Sequence, residues 1–335
     1  MSLSIIIVNY RSAKYVAGCI QSAMQFASGA SFEWIVVDND SKDNSKQATL
    51  TQFPFVQWID MGYNAGFARA NNKGMQQAKG DVVLLLNPDT IITDDAIEQC
   101  YSRFIQSAYV ACSVQLLNAD GSPQITGNYF MKGGLNHLLP LPYLGALLRA
   151  IAFSINVKKT NVPIASPEQK VDWINGAFMM VKKSAVEKAG MFDEDFFLYS
   201  EEIEWCSRLK RVGELCVYGN LYTTHLQGEA VNNAMQTSGK GYANLFDKKG
   251  LQILISQHVR IRKQFGAAWF LFHLFMHTIE IPIFFICSFI DHLVHLKNPF
   301  GDIKQVKGFT YNVFRLWGLA PAILGNQPHF YRILV

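Results

Sequence analysis

Short apolar runs that break off into polar, carboxylate-bearing turns constrain this chain more than any other feature. Leu3 to Asn9 is apolar and β-branched. Trp34 to Val37 ends in Asp38-Asn39-Asp40-Ser41, Val56 to Ile59 is a third run, and Val82 to Leu86 ends in Asn87-Pro88-Asp89. Helix-forming stretches lie between them, at Ala13 to Phe26, Asn44 to Leu50 and Ala65 to Ala78, and Thr93-Asp94-Asp95 caps another that runs to Phe104. Runs this short and this apolar are buried on both faces only where helices cover both. The rhythm therefore predicts an α/β fold with a mostly parallel central sheet flanked by helices. Ligands bind such sheets beyond the carboxyl ends of the strands, and that is where Asp38 and Asp89 fall.

The rhythm loosens over residues 121–168, where Gly133-Gly134 and several prolines predict a long insertion. An acceptor-facing loop is its functional reading, and a plain surface excursion the simpler one. Order resumes with strands at Ala177 to Val181 and Leu215 to Tyr218, and helices at Lys183 to Ala189 and Glu201 to Arg211. Past residue 250 the material changes. Gln264 to Leu296 holds no Lys or Arg, and its exceptions His273, His277, Glu280, Ser288, Asp291 and His295 recur at helical spacing as one narrow polar stripe. One helix, or two around Pro282, would be about 50 Å long and could cross a bilayer. Glu280 and Asp291 would be costly inside it, so a helix lying in the membrane interface, or a shallow re-entrant hairpin, is expected; true insertion and packing against the catalytic domain or a partner subunit are the alternatives. Arg260, Arg262 and Lys263 before it, and Lys297, Lys304 and Lys307 after it, would reach lipid headgroups. The chain divides accordingly into residues 1–250, an α/β domain, and 251–335, a helical, apolar and basic tail that meets a membrane or builds a homodimer.

Composition narrows the partners. Hydrophobic residues make up 50% and charged residues 17%, which excludes a disordered chain. A net charge of +4 is too small for a general nucleic-acid binder, and it is uneven. Residues 1–250 carry 22 basic and 23 acidic side chains, whereas residues 251–335 carry eight and three. A basic, apolar tail points to anionic lipid. Cys19, Cys100, Cys112, Cys206, Cys216 and Cys287 form no close pair in sequence, so buried free thiols in a reducing compartment are expected. Ser2-Leu3-Ser4 leads into the first strand with no positive segment before it, so no cleaved leader is expected.

Several residue patterns can carry chemistry, and each has a plainer reading. Asp38 can accept a base N–H or contact a ribose, but Asp and Asn are also ordinary turn residues. Asp89 suits a hard cation, which takes one or two carboxylates and fills its other positions with phosphates and water; otherwise it caps a turn. Trp173-Ile174-Asn175-Gly176 sets an aromatic and an amide before a glycine that lets a ligand approach the backbone. Asp193-Glu194-Asp195 and Glu201-Glu202-Ile203-Glu204 form an acidic cluster, in which Glu201 or Glu202 at a helix start can serve as a general base. Acidic residues are also common in any first turn. His225 is a lone histidine, more often structural than a ligand. A cation at Asp89 would neutralise a diphosphate leaving group while a carboxylate elsewhere activates a hydroxyl. No dinucleotide fingerprint, phosphate-binding Gly-Lys-Ser/Thr loop or Gly-x-Ser-x-Gly turn is present, which weakens dehydrogenase, nucleoside-triphosphatase and esterase readings.

The order of motifs resembles the family-2 inverting glycosyltransferases of the GT-A fold, and within them the bacterial rhamnosyltransferase-like branch. The segments that carry the likeness are Ser4-Ile5-Ile6-Ile7-Val8-Asn9-Tyr10, Val37-Asp38-Asn39-Asp40-Ser41 and Asn64-Ala65-Gly66-Phe67-Ala68-Arg69. They continue with Leu86-Asn87-Pro88-Asp89-Thr90, Asn175-Gly176-Ala177-Phe178, and residues 190–199 with Glu201-Glu202, together covering roughly residues 2–228. The resemblance implies that Asp38 contacts a nucleobase and that Asn9 and Tyr10 line the nucleotide pocket. Asn64, Gly66 and Arg69 then lie by the nucleotide and its phosphates. Asn87 stands at the first position of the family's Asp-x-Asp motif, and Asp89 at the last, as a ligand of Mg²⁺ or Mn²⁺ that His225 can approach. Trp173, Asn175 and Gly176 would line the acceptor and sugar side. Glu202 stands where the usual Glu-Asp pair has its base, one methylene longer, with Glu201 beside it. The implied donor is a dTDP- or UDP-linked sugar, and the implied acceptor a glycan or polyprenyl-diphosphate-linked hydroxyl. The implied place is the cytoplasmic face of the cell membrane, with peripheral attachment. Two other readings stay open: a nucleotidyltransferase, and a catalytically weak membrane scaffold.

Overall fold

The computed structural model describes residues 2–157, 159–226 and 244–330. Leu3–Asn9 lies inside the sheet, with Glu33–Asp38 on one side and Val82–Leu86 on the other, both parallel to it, and Gln57–Asp60 closes that edge. Every residue of Leu3–Asn9 and Val82–Leu86 is buried, as unbroken apolar runs require. Ala13–Ala23 turns Val16, Cys19, Ile20 and Ala23 inward at helical spacing. On the other face Phe67–Gln77 lies close to the sheet, because a Cβ at Gly74 would already press on Ile6.

Past Val82–Leu86 the strand direction changes. Phe178–Lys182 runs antiparallel to it and to Ala111–Leu117. Leu215–His225 is parallel to Ala111–Leu117, and Gln169–Val171 and Thr90–Ile92 are antiparallel to Leu215–His225. The sheet is therefore parallel in its first half and mixed beyond. Phe178–Lys182 follows the 121–168 insertion instead of a crossover helix, so nothing forces it parallel. The insertion is more ordered than its sequence suggests. It holds the 3₁₀ segment Lys132–Leu138, the helix Leu144–Ser154, and strands Gly127–Asn128 and Asn161–Val162; Gly127–Asn128 pairs with both Asn161–Val162 and Trp173–Ile174 in a small second sheet. All six cysteines are free, and five are buried.

The tail folds as three helices, Lys248–Phe265, Ala267–Val294 and Ile303–Leu324. They are packed on the α/β unit: Leu251, Ile255, Val259, Phe270, Leu274, Leu316 and Ile323 share one hydrophobic core with Ile6, Val8, Leu85 and Trp205. Lys248–Phe265 is consequently buried along most of its length, and this corrects the expectation that its basic residues reach lipid. Arg260 is buried, Lys263 pairs with Asp193 and Asp195 at 2.5 Å each, and Arg262 donates to the Leu324 carbonyl.

Ala267–Val294 is one continuous helix through Pro282, and by length and composition it could cross a membrane. Its polar stripe faces inward as far as Ser288, whereas Asp291 and His295, expected on the same stripe, are exposed at the helix end. His273, His277, Glu280 and Ser288 are buried, while Leu271, Phe275, Ile286, Ile290 and Leu293 are exposed. This is the reverse of a water-soluble surface helix. Glu280 has a partner that explains its cost: its two carboxylate oxygens accept from the backbone N–H groups of Tyr143 and Leu144, at 2.7 and 3.0 Å. Those donors belong to the first turn of Leu144–Ser154, where N–H groups lack partners within the helix and an acidic group is favoured.

Candidate active site

Strand register assembles the first part of the site. Asn9 and Asp38 are opposite residues at the ends of two parallel strands. Asn9 Nδ2 donates to Asp38 Oδ1 at 2.7 Å and to Ser41 Oγ at 3.0 Å, and Ser41 donates to both Asp38 oxygens. Asn9 Oδ1 accepts from the backbone N–H and hydroxyl of Ser12. Asp38 is thus a held carboxylate. Tyr10 sits beside it with the Arg11 guanidinium over its ring.

Asn39 ties this turn to the next loop. It donates to Asn64 Oδ1 at 2.8 Å and accepts from the Ala65 N–H at 2.8 Å. Gly66 then starts Phe67–Gln77 with φ +83° and ψ 175°, a region essentially reserved for glycine. A Cβ there would also meet the Phe197 carbonyl, which accepts from the Phe67 N–H at 2.7 Å. Gly66→Ala is expected to cost about 2–4 kcal/mol in urea unfolding, from the strained backbone and that clash together. The Arg69 guanidinium donates to the Glu194 carbonyl at 2.9 and 3.1 Å and also meets His329.

The second part rests on the pairing of Thr90–Ile92 with the end of Leu215–His225, which sets His225 opposite Thr90. His225 Nε2 lies 3.4 Å from Asp89 Oδ1 and 3.4 Å from Asn87 Nδ2. Gln124, which sequence patterning does not single out, fixes the imidazole. Its amide nitrogen donates to the His225 carbonyl and Asn118 Oδ1, so its Oε1 must accept, and it lies 3.0 Å from His225 Nδ1. The Nδ1 position therefore carries a proton, and Nε2 is the nitrogen that faces Asp89. Metal-ligating histidines are commonly held through their far nitrogen, so this orientation would suit His225 to a metal. Among the described residues no group of three or more His, Cys, Asp or Glu side chains could hold a metal ion. The site thus offers Asp89 and His225, with Asn87 adjacent, and leaves other positions to phosphate oxygens and water.

Trp173, Asn175 and Gly176 lie between this turn and the acidic helix. The Asn175 side chain accepts from the Ala177 N–H, and the Ala177 carbonyl accepts from the Asn87 N–H, at 2.9 Å each. A Cβ on Gly176 would sit 3.7 Å from the Glu202 Cβ, in ordinary contact. Asn87 and Glu202 therefore flank one short segment, on the order of 10 Å apart along the chain's reach.

The acidic cluster separates by partner. Lys263 holds Asp193 and Asp195, Asn72 donates to Glu194, and Arg208 grips Glu204 with two bonds of 2.7 and 2.8 Å. Glu201 and Glu202 are left, buried in the first turn of Glu201–Leu209. Tyr199 and Ser200 enter that turn at φ 71° and 67°, a left-handed pair of non-glycine residues that costs about 1–3 kcal/mol each. Burial pushes the Glu202 carboxyl up to about 7, against the opposing pull of the helix-terminal N–H and Arg260. Burial and the neighbouring Glu202 also push the Glu201 carboxyl well above the ordinary carboxylate range. Near neutral pH, Glu202 can exchange a proton.

Residues 4–166 match the family described as Glycosyl transferase family 2. The "Low-salt glycan biosynthesis hexosyltransferase Agl10" of Haloferax volcanii is 32% identical over 218 residues, covering 62% of this chain and 62% of that protein. The "N-acetylglucosaminyl-diphospho-decaprenol L-rhamnosyltransferase" of Mycobacterium tuberculosis is 26% identical over 201 residues, covering 55% and 62%. The chain thus spans about three fifths of the length of these relatives. Among solved structures, mannosyltransferase PcManGT from Pyrobaculum calidifontis, in complex with GDP-Man and Mn²⁺, superposes with a TM-score of 0.51 at 13% identity, over 96% of this chain and 84% of that one. Sequence and fold agree: residues 4–166 match glycosyl transferase family 2, the similar proteins are a hexosyltransferase and a rhamnosyltransferase, and the chain folds on a GT-A scaffold.

Proposed function

We propose that the protein transfers a hexosyl or deoxyhexosyl group from a nucleoside-diphosphate sugar to a hydroxyl of a glycan or lipid-linked acceptor, with inversion, in cell-surface polysaccharide synthesis. The observation that carries this reading is the buried Glu202, a carboxylate poised to exchange a proton near neutral pH, on the far side of Asn175–Gly176–Ala177 from Asp89 and His225. Glu202 takes the proton of the acceptor hydroxyl as that oxygen attacks the anomeric carbon from the face opposite the diphosphate. Asp38 and Asn9 bind the nucleoside, and the 64–66 loop borders its phosphates. Asn87, Asp89 and His225 would hold Mg²⁺ or Mn²⁺, which neutralises charge on the departing nucleoside diphosphate. The relative that acts on a diphospho-decaprenol sugar and the fold neighbour solved with Mn²⁺ support both choices. Residues 1–250 act as the catalytic unit, and the tail attaches it peripherally to the cytoplasmic face of the membrane.

Titration with UDP-, dTDP- and GDP-sugars tests the reading. One donor is expected to bind selectively, more tightly with Mn²⁺ or Mg²⁺, and to release its nucleoside diphosphate slowly, a release that EDTA suppresses. A folded protein that binds none of them overturns it. Gln124→Leu gives a finer check. Loss of the group that orients His225 is expected to weaken Mn²⁺ binding in the nucleotide complex by about 10–100-fold by calorimetry, while metal-free nucleotide binding stays unchanged. Equal Mn²⁺ affinity in the variant removes His225 from the metal site.

A further inference from the structure

Arg260 is the most conspicuous side chain that the proposed chemistry leaves unused. It is 2% exposed, at the inner face of Lys248–Phe265. Burial lowers its pKa only to about 10, so it is charged at neutral pH. A buried guanidinium needs a counter-charge and hydrogen-bond acceptors. Among the described residues it meets one acceptor, His137 Nε2, and its Nε has no partner. Phe130 and Phe265 lie against it, with ring centroids 5.8 and 5.7 Å from its central carbon. No carboxylate of the described residues comes within ion-pair distance. Glu202 and Glu204 act on it only through space, and Glu204 is already held by Arg208. The neighbouring imidazoles do not compete for an anion's place as cations. His258, His273 and His277 each turn one ring nitrogen to a backbone carbonyl at 2.8 Å and are kept neutral by burial.

The position of this lone charge says what would complete it. On one side is Glu202, close enough for each to bias the other's proton. On the other, the Lys132–Leu138 segment that carries His137 continues into Leu144–Ser154, whose Leu147, Ile151 and Phe153 are exposed. That helix is pinned through Glu280 to Ala267–Val294 and its exposed apolar face. We propose that Arg260, with His137, is the binding centre for the phosphate of a prenyl-linked acceptor. The acceptor hydroxyl then lies at Glu202 and the prenyl chain runs out toward the apolar surface. This rests on the transferase reading and adds to it the site of the acceptor's anion.

Farnesyl diphosphate serves as the probe, in EDTA so that the Asp89 site takes no part, with farnesol and inorganic pyrophosphate as controls on the full chain. The wild type is expected to bind farnesyl diphosphate at least tenfold more tightly than either control, with a raised Tm. Arg260→Gln is expected to lose at least tenfold of that affinity while Mn²⁺-dependent nucleotide binding stays within twofold. Arg260→Met, which removes an uncompensated buried charge, is expected to lose the same affinity without a fall in Tm. Wild-type affinity in either variant, or no thermal shift of the wild type by farnesyl diphosphate, overturns the proposal. So does inorganic pyrophosphate binding as tightly, which would mark a site for free phosphate. If no nucleotide sugar binds the wild type, the transferase reading fails on its own, whatever the probe does.

Discussion

Glu202→Gln is expected to lower sugar transfer by about 10²–10⁴-fold while leaving donor affinity within twofold, because the amide keeps the shape of the protonated carboxyl and cannot accept a proton. The pH dependence follows from the same burial. The wild-type carboxyl titrates at about 7, so transfer at limiting substrate is expected to rise with pH through that value and the rise to vanish in the variant. Stability runs the other way. The folded pKa lies above the ordinary value of 4.5, so the folded state holds more protons between the two. The stabilisation tied to that proton is complete below pH 4.5 and is lost as pH rises through about 7. Glu202→Gln should therefore be more stable than wild type at pH 8, by an amount on the order of a few kcal/mol, read as a higher Tm. Glu201→Gln leaves the Glu202 carboxyl in place, so it should cost much less activity. Full transfer by Glu202→Gln, or a larger loss in Glu201→Gln, moves the base to Glu201.

The parts of this site differ in how legible they are from sequence. Asp38 and Asp89 are visible because a carboxylate at the end of a buried apolar run is a local pattern, and strand ends gather at one edge of a parallel sheet. Glu201 and Glu202 are visible as candidates, but not separable from Asp193, Asp195 and Glu204. The separation comes from Lys263 and Arg208, and Lys263 reaches across from a helix some 70 residues along the chain. Gln124 goes unnoticed in the sequence for the same reason, and Arg260 is misread there as lipid-facing. One acts through the pairing of distant strands and the other through burial, and neither sits in a motif. The tail shows the limit most clearly. Helical spacing reveals a polar stripe, yet periodicity gives only the angle between stripe and apolar face. Which of them turns inward is decided by what the rest of the fold offers. Here that is the backbone N–H groups of Tyr143 and Leu144 for Glu280, and the Gly133 carbonyl for His273.

That inward stripe makes the membrane prediction specific to side chains. Deleting the tail would not test it, because Phe270, Leu274 and Leu316 belong to the core of the α/β unit and their loss would unfold what remains. Phe275, Ile286, Ile290 and Leu293 instead lie on the outward face, each about half exposed, and touch no part of the site. Replacing all four with Gln should leave Tm within a few degrees. A fully buried side chain of this size contributes roughly 1.5–3 kcal/mol, so four half-exposed ones entering a lipid interface contribute about 3–6 kcal/mol together. The variant's partition onto anionic vesicles should accordingly fall by about 10²–10⁴-fold. High salt should weaken wild-type binding further through Lys297, Lys304 and Lys307, which follow the helix and face solvent. Sedimentation with vesicles at wild-type levels by the quadruple variant sinks this assignment. A wild type that ignores vesicles but has twice the expected mass in solution, reduced to one chain in the variant, gives the same face to a second copy of the protein. Activity on a soluble acceptor should survive the four substitutions, and activity on a prenyl-linked acceptor in vesicles should fall with the binding. That split would show the outward face bringing the transferase to its substrate while Glu202 does the chemistry.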